Sequence, residues 1–130
     1  MELILDTCAL LSISGISRKK LKPKTGERLA TASRLTISAC SLYEIALKNA
    51  RGSLKLGSYS SAKAFWDEAV STYLLEVLPV TDADFYQAVQ LPEHHPDPLD
   101  RIIISQAMRL GCTIVTYDSQ FEGYGLKLLW

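Results

Sequence analysis

Cysteine and histidine are both scarce. The chain has three cysteines in 130 residues, and no two form a C-x-x-C pair. Cys8, Cys40 and Cys112 each lie in or beside an apolar run, which reads as buried, reduced thiols rather than a disulfide framework. The two histidines, His94 and His95, are adjacent and precede Pro96. A loop is expected there, which leaves Cys8 without an obvious base and disfavours a Cys/His pair. No run approaches the ~18 apolar residues of a membrane span. The opening Met-Glu-Leu-Ile-Leu-Asp has neither a basic region nor a long apolar core, so no signal peptide is read and the expected location is cytoplasmic. An excess of either charge is also missing, with 14 basic and 14 acidic residues.

That balance hides a local asymmetry. Arg18, Lys19, Lys20, Lys22, Lys24, Arg28 and Arg34 form half of the positive charge, opposed in that stretch by Glu27 alone. Such a cluster suits a polyanion backbone, although taken alone it reads first as a solvated loop with no ligand. Hydrophobic residues make up 48%, enough for one core in a chain of this length without covalent staples. One domain over residues 1–130 is expected.

Apolar runs and helical patterns alternate. Residues 2–6 and 36–40 read as buried strands, 112–117 as a third, 76–80 as an extended piece with Pro79 at an edge, and 126–130 as a final strand. Helical patterns fill 7–16, ended by Gly15, and 27–34, after breakers at Pro23 and Gly26. They continue over 60–75, with Ala64, Phe65, Ala69, Val70, Tyr73 and Leu74 near one face, and from Thr81 or Asp82 to Gln90. Asp97-Pro98 starts another helix that Gly111 stops. Ser41-Leu-Tyr-Glu44 matches a capping box, followed by helix to about Ala50. The pattern is that of an α/β domain with a mainly parallel sheet.

Four acids fall at the ends of these runs. Asp6 closes Leu3-Ile4-Leu5, Glu44 opens a helix after 36–40, Asp100 sits in the first turn after Pro98, and Asp118 follows 113–117. Each has a local explanation: Asp6 as a turn or helix cap, Glu44 as a capping-box member, Asp100 facing the helix dipole, Asp118 starting a turn. Asp97 is explained by capping. Together, however, they mark one edge of a parallel sheet, where ligands bind. Two unit charges about 4 Å apart repel by about 4 kcal/mol at an effective dielectric of 20. A hard divalent cation is the expected compensation. Arg101 is the one basic neighbour read as able to neutralise an acid. Trp66 and Trp130 sit in apolar patterns and are read as core rather than base-stacking residues.

These residues resemble the PIN-domain ribonucleases, and among them the VapC-like toxins of toxin–antitoxin pairs. The resemblance rests on Leu3-Ile-Leu-Asp-Thr7, Ile37-Ser-Ala-Cys-Ser-Leu-Tyr-Glu-Ile-Ala-Leu-Lys48, His95-Pro-Asp-Pro-Leu-Asp-Arg-Ile-Ile-Ile-Ser-Gln-Ala107, and Ile114-Val-Thr-Tyr-Asp118 with Phe121 and Tyr124. It covers nearly the whole chain, and the third block is its most specific part. It implies a twisted parallel sheet of four or five strands with helices on both faces. It also implies an acidic site at Asp6, Glu44, Asp100 and Asp118 and metal-dependent cleavage of RNA. Cys8 departs from the pattern, and the basic stretch 18–24 resembles a variable insertion.

The chemistry expected on that basis uses Mg²⁺, with Mn²⁺ as a substitute. Two cations about 3.5–4 Å apart can activate water and stabilise the leaving oxygen. Asp6 and Asp100 are the expected principal ligands, completed by Glu44 and Asp118. Thr7 and Thr116 are expected to hydrogen-bond these carboxylates, with Asp97 beside them. Arg18, Lys19, Lys20, Lys22 and Lys24 are the candidates for RNA contact. Attack by water rather than the 2′-OH would leave 5′-phosphate and 3′-hydroxyl ends. The resemblance further implies a cognate antitoxin, which would cover the groove with apolar side chains and offer a basic group to the acidic pocket, and a homodimer. Two other readings are a silent binding module whose acids grip a basic partner, and a receiver-like phosphoryl acceptor. The latter expects an acidic pair near the first strand, which Asp6 lacks.

Overall fold

A computed structural model describes residues 1–130. Five strands form one parallel sheet: β1 (Glu2–Leu5), β2 (Arg34–Ser38), β3 (Glu76–Leu78), β4 (Thr113–Val115) and β5 (Leu128–Leu129), in the order β3-β2-β1-β4-β5. Helices α1 (Thr7–Ile13), α2 (Pro23–Ala30), α3 (Ala39–Ala50), α4 (Ala62–Thr72), α5 (Asp82–Gln90) and α6 (Pro98–Leu110) connect them, with a 3₁₀ turn at Ser119–Phe121. The chain builds outward from β1 through β2 to β3, then returns to place β4 on the other side of β1. The crevice beyond the ends of β1 and β4 is therefore a topological switch point, where α/β sheets bind ligands.

The period-two geometry of a strand explains the two cores. Leu3 and Leu5 face one side with Ile37, Val115, Phe65, Trp66 and Ala69. Ile4 faces the other with Ile114, Leu78, Ile103 and Ala107. Both faces of β1 are covered, which is why its sequence is an unbroken apolar run rather than an alternating one.

Several expectations need correction. Pro23 and Gly26 do not break the chain: Pro23 opens α2 and Gly26 lies inside it. Proline is tolerated in a first turn, where its missing N–H has no intrahelical partner to lose. The capping box at Ser41–Glu44 does not form. Ser38 caps α3 three residues earlier, its hydroxyl accepting from the Cys40 N–H at 3.2 Å, so Glu44 lies in the second turn. Leu74 does not join the apolar face of α4. It is 85% exposed in a left-handed turn at φ 52°, and Leu75 enters the core in its place.

Arg101 neutralises no carboxylate. Its buried guanidinium donates to the carbonyls of Ala88, Leu91, Pro92 and His95, tying the α5–α6 loop to α6. Gly111 ends α6 at φ 66°, a conformation in which any β-carbon is strained. Trp66 is buried, and Trp130 packs partly buried with its ring edge-on to Tyr117, centroids 4.7 Å apart.

Candidate functional site

The four acids converge beyond the ends of β1, β2 and β4. Asp6 follows β1 directly and caps α1: its Oδ1 accepts from the Ala9 N–H at 2.7 Å. Its Oδ2 accepts from the Thr116 hydroxyl at 2.5 Å. Asp118 follows β4 and caps the 3₁₀ turn, with Oδ1 accepting from the Gln120 N–H. Asp97 caps α6 through the N–H groups of Leu99 and Asp100, which places Asp100 in the first turn. Carboxylate oxygens of Glu44, Asp97 and Asp100 lie within 4.8 Å of one another, and His95, Asp100 and Asp118 form a second such group. Asp100 belongs to both. Asp6 falls outside both groups, though the charges of Asp118 and Glu44 reach it.

At such separations two full charges repel by about 3–4 kcal/mol at an effective dielectric of 20. Proton affinity shows it. Burial, followed by the charges of Asp97, Glu44, Asp6 and Asp118, raises the Asp100 carboxyl to about 8. Burial raises Asp6 to about 6, with Asp118 and Glu44 adding to it, against the opposing bonds from Thr116 and Ala9. The backbone brings these acids together while their charges drive them apart, a mark of a functional site.

Lys48, one turn after Glu44, places its Nζ 2.8 Å from Glu44 Oε2. Sequence reasoning misses this pair, although i,i+4 spacing on α3 signals it. Glu44 Oε1 is buried with no hydrogen-bond partner. Thr7 does not reach a carboxylate: its hydroxyl donates to Ser41 Oγ at 2.9 Å.

The larger omission is His95. Its flanking prolines suggest an open loop, yet it is buried, with Nε2 3.0 Å from Asp118 Oδ2 and 3.3 Å from Asp100 Oδ2. Its place in the block His95-Pro-Asp-Pro-Leu-Asp100, five residues before Asp100, is the signal that could have found it. Cys8 does not act with it. Burial and the nearby Asp6 push the Cys8 thiol up to about 11, so it is not a thiolate at neutral pH.

Arg18, Lys19, Lys20, Lys22 and Lys24 are exposed on the segment from α1 into α2. Lys19 Nζ lies 5.3 Å from the centroid of the Tyr117 ring, which brings this stretch beside the residue preceding Asp118. A groove of about 740 Å³ lies elsewhere, between α2 and α4 near Leu29, Arg34, Tyr73 and Glu76. Charge, not concavity, singles out the acidic crevice.

Residues 3–126 match the sequence profile of the PIN domain. The chain belongs to the PIN-domain family. PIN domains are nucleases. VapBC2 from Rickettsia felis, solved with a DNA fragment from their promoter, is 19% identical with TM-score 0.67, covering 98% of this chain and 97% of that one. DNA-bound VapBC from Salmonella typhimurium is 21% identical with TM-score 0.67, covering 98% and 96%. FitAcB from Neisseria gonorrhoeae is 16% identical with TM-score 0.65, covering 98% and 96%. At these identities the likeness is one of fold. No curated protein sequence matches the chain significantly. No helix of this PIN domain is long and apolar enough to cross a membrane.

Proposed function

We propose that this PIN domain is a divalent-cation-dependent endoribonuclease and the toxin of a toxin–antitoxin pair. The observation that carries the reading is Asp100. A carboxyl held near 8 by burial and four neighbouring carboxylates is poorly placed as an isolated acid and well placed as a cation ligand.

The donor set fits Mg²⁺, with Mn²⁺ as a substitute. The acids offer hard oxygen atoms, and Glu44 Oε1 is buried without a partner. Asp100, Glu44, Asp118 and Asp6 would hold the ion, with Asp97 beside them. Bound there, it supplies Lewis-acid polarisation of a phosphodiester and lowers the pKa of water.

The remaining roles belong to the chain. Thr116 and the Ala9 N–H fix the Asp6 carboxylate in one orientation. Lys48 engages only one oxygen of Glu44. Arg18, Lys19, Lys20, Lys22 and Lys24 would bind the RNA backbone electrostatically. Hydrolysis by water leaves 5′-phosphate and 3′-hydroxyl ends. The similarity to VapBC and FitAcB supports a cognate antitoxin as partner, and the toxin reading carries with it a homodimer as the assembly.

The test is incubation with total RNA in Mg²⁺ and then in chelator, with mapping of the new 5′ ends. Cleavage should require the cation and disappear in Asp6→Asn while the fold persists. Undiminished cleavage by Asp6→Asn, or cleavage in chelator, would contradict the proposal. A wild-type chain with no thermal response to Mg²⁺ or Mn²⁺ favours a silent binding module instead.

A further inference from the structure

His95 is anchored through both its backbone and its ring. Its backbone N–H donates to Tyr124 Oη at 2.7 Å, and its carbonyl accepts from Arg101 Nη1 at 3.2 Å. Its ring packs edge-on against Phe121, centroids 4.8 Å apart. The ring nitrogens are distinguished by their partners. Nδ1 faces the backbone N–H of Asp97 at 3.2 Å. An amide can only donate, so Nδ1 must accept and carries no proton. The ring hydrogen is therefore on Nε2, which faces Asp118 Oδ2 at 3.0 Å and Asp100 Oδ2 at 3.3 Å.

This arrangement separates two roles. A histidine that ligates a cation through Nε2 needs a lone pair there, which would move its proton to Nδ1, against the Asp97 N–H. The geometry instead makes Nε2 a shared donor to two carboxylates. We infer that His95 is a positioning residue, whose Nε2–H ties Asp118 to Asp100 and presents both to a divalent cation. The Asp97 N–H that fixes its tautomer belongs to the residue that caps α6, so one turn of chain sets both the ring and Asp100. The inference rests on the nuclease reading of the same crevice.

The full chain is tested with Mn²⁺ by titration calorimetry, beside His95→Gln and His95→Asn. The glutamine amide reaches the place of Nε2 and can donate to the two aspartates. The asparagine side chain is too short and reaches only the place of Nδ1. Asparagine should weaken Mn²⁺ binding about 10- to 100-fold, and glutamine should restore most of it. Equal affinity in all three proteins, or equal loss in both variants, overturns the positioning role. Nitrogen-15 NMR of the cation-free wild type supplies a test independent of any variant's folding. Nε2 should be the protonated nitrogen and Nδ1 the bare one; the reverse assignment overturns the inference. A wild-type chain that binds no Mn²⁺ sinks the nuclease reading and this role with it, whereas failure confined to the variants sinks this role alone.

Discussion

Thr116 donates its hydroxyl to Asp6 Oδ2 at 2.5 Å, bridging the ends of the adjacent strands β1 and β4. The same oxygen of Thr116 accepts from the Asp118 N–H at 3.0 Å. One side chain thus couples an acid beyond β1 to the backbone of an acid beyond β4. Thr116→Val keeps the shape and removes both bonds. The variant should fold, lose about 1–3 kcal/mol of stability from the unsatisfied groups, and bind Mg²⁺ more weakly. Chemical denaturation and cation titration check both; unchanged cation affinity would remove Thr116 from the site.

Asp100 predicts an inverted pH dependence for the cation-free protein. Its folded value of about 8 lies above the ordinary 3.8. The folded state therefore holds a proton that the unfolded state releases. This contribution is complete below about 3.8 and is lost as pH rises through 8. Asp100→Asn, neutral throughout, should stabilise the cation-free chain more at about pH 8 than at about pH 5, and abolish the stabilisation by Mg²⁺. Melting curves at the two pH values decide it. A variant destabilised at the higher pH would contradict the crowding of charge described above.

Asp84 predicts the opposite sign. Burial pushes its carboxyl up, but bonds from Arg109 and Thr81 outweigh it and hold the group below the usual carboxylate range. Arg109 grips it through two bonds of 2.8 and 3.0 Å. This contribution is present above about 3.9 and is lost as pH falls through the lowered value. Arg109→Met should cost about 1–3 kcal/mol at about pH 7 and less at a pH low enough to protonate Asp84 in the fold. An equal cost at both values would mean that the guanidinium acts by packing alone.

The basic stretch predicts a salt effect. Replacing Arg18, Lys19, Lys20, Lys22 and Lys24 with glutamine should weaken binding of single-stranded RNA and flatten its logarithmic salt dependence. Each phosphate that is no longer neutralised should take about 0.7 from the slope. An unchanged slope assigns the stretch to solvent.

Strand placement is readable because it depends on local pattern: 2–6, 36–40 and 112–117 each overlap an observed strand, shifted or trimmed at the ends. Asp97-Pro98 and Gly111 bound α6 because capping is also local. The errors share one cause. Ser41 satisfies the capping pattern as well as Ser38 does, and only pairing of β2 with β1 decides where the strand stops. Pro23 reads equally as a breaker or a helix start, and Leu74 as an apolar face or a turn. His95 is misplaced by sequence because proline-rich flanks suggest an open loop, whereas Arg101 gathers four carbonyls and folds that loop inward.

The order of residues alone determined that this chain makes a parallel α/β sheet with acids at the ends of its strands. Those features follow from side-chain periodicity and backbone propensity, which act over a few residues. Tertiary structure decided which acids share a pocket, that Asp100 stands at its centre, and that a histidine ties it to Asp118. Those outcomes depend on strand order and on contacts between distant segments, such as Asp6 with Thr116, which no local pattern encodes.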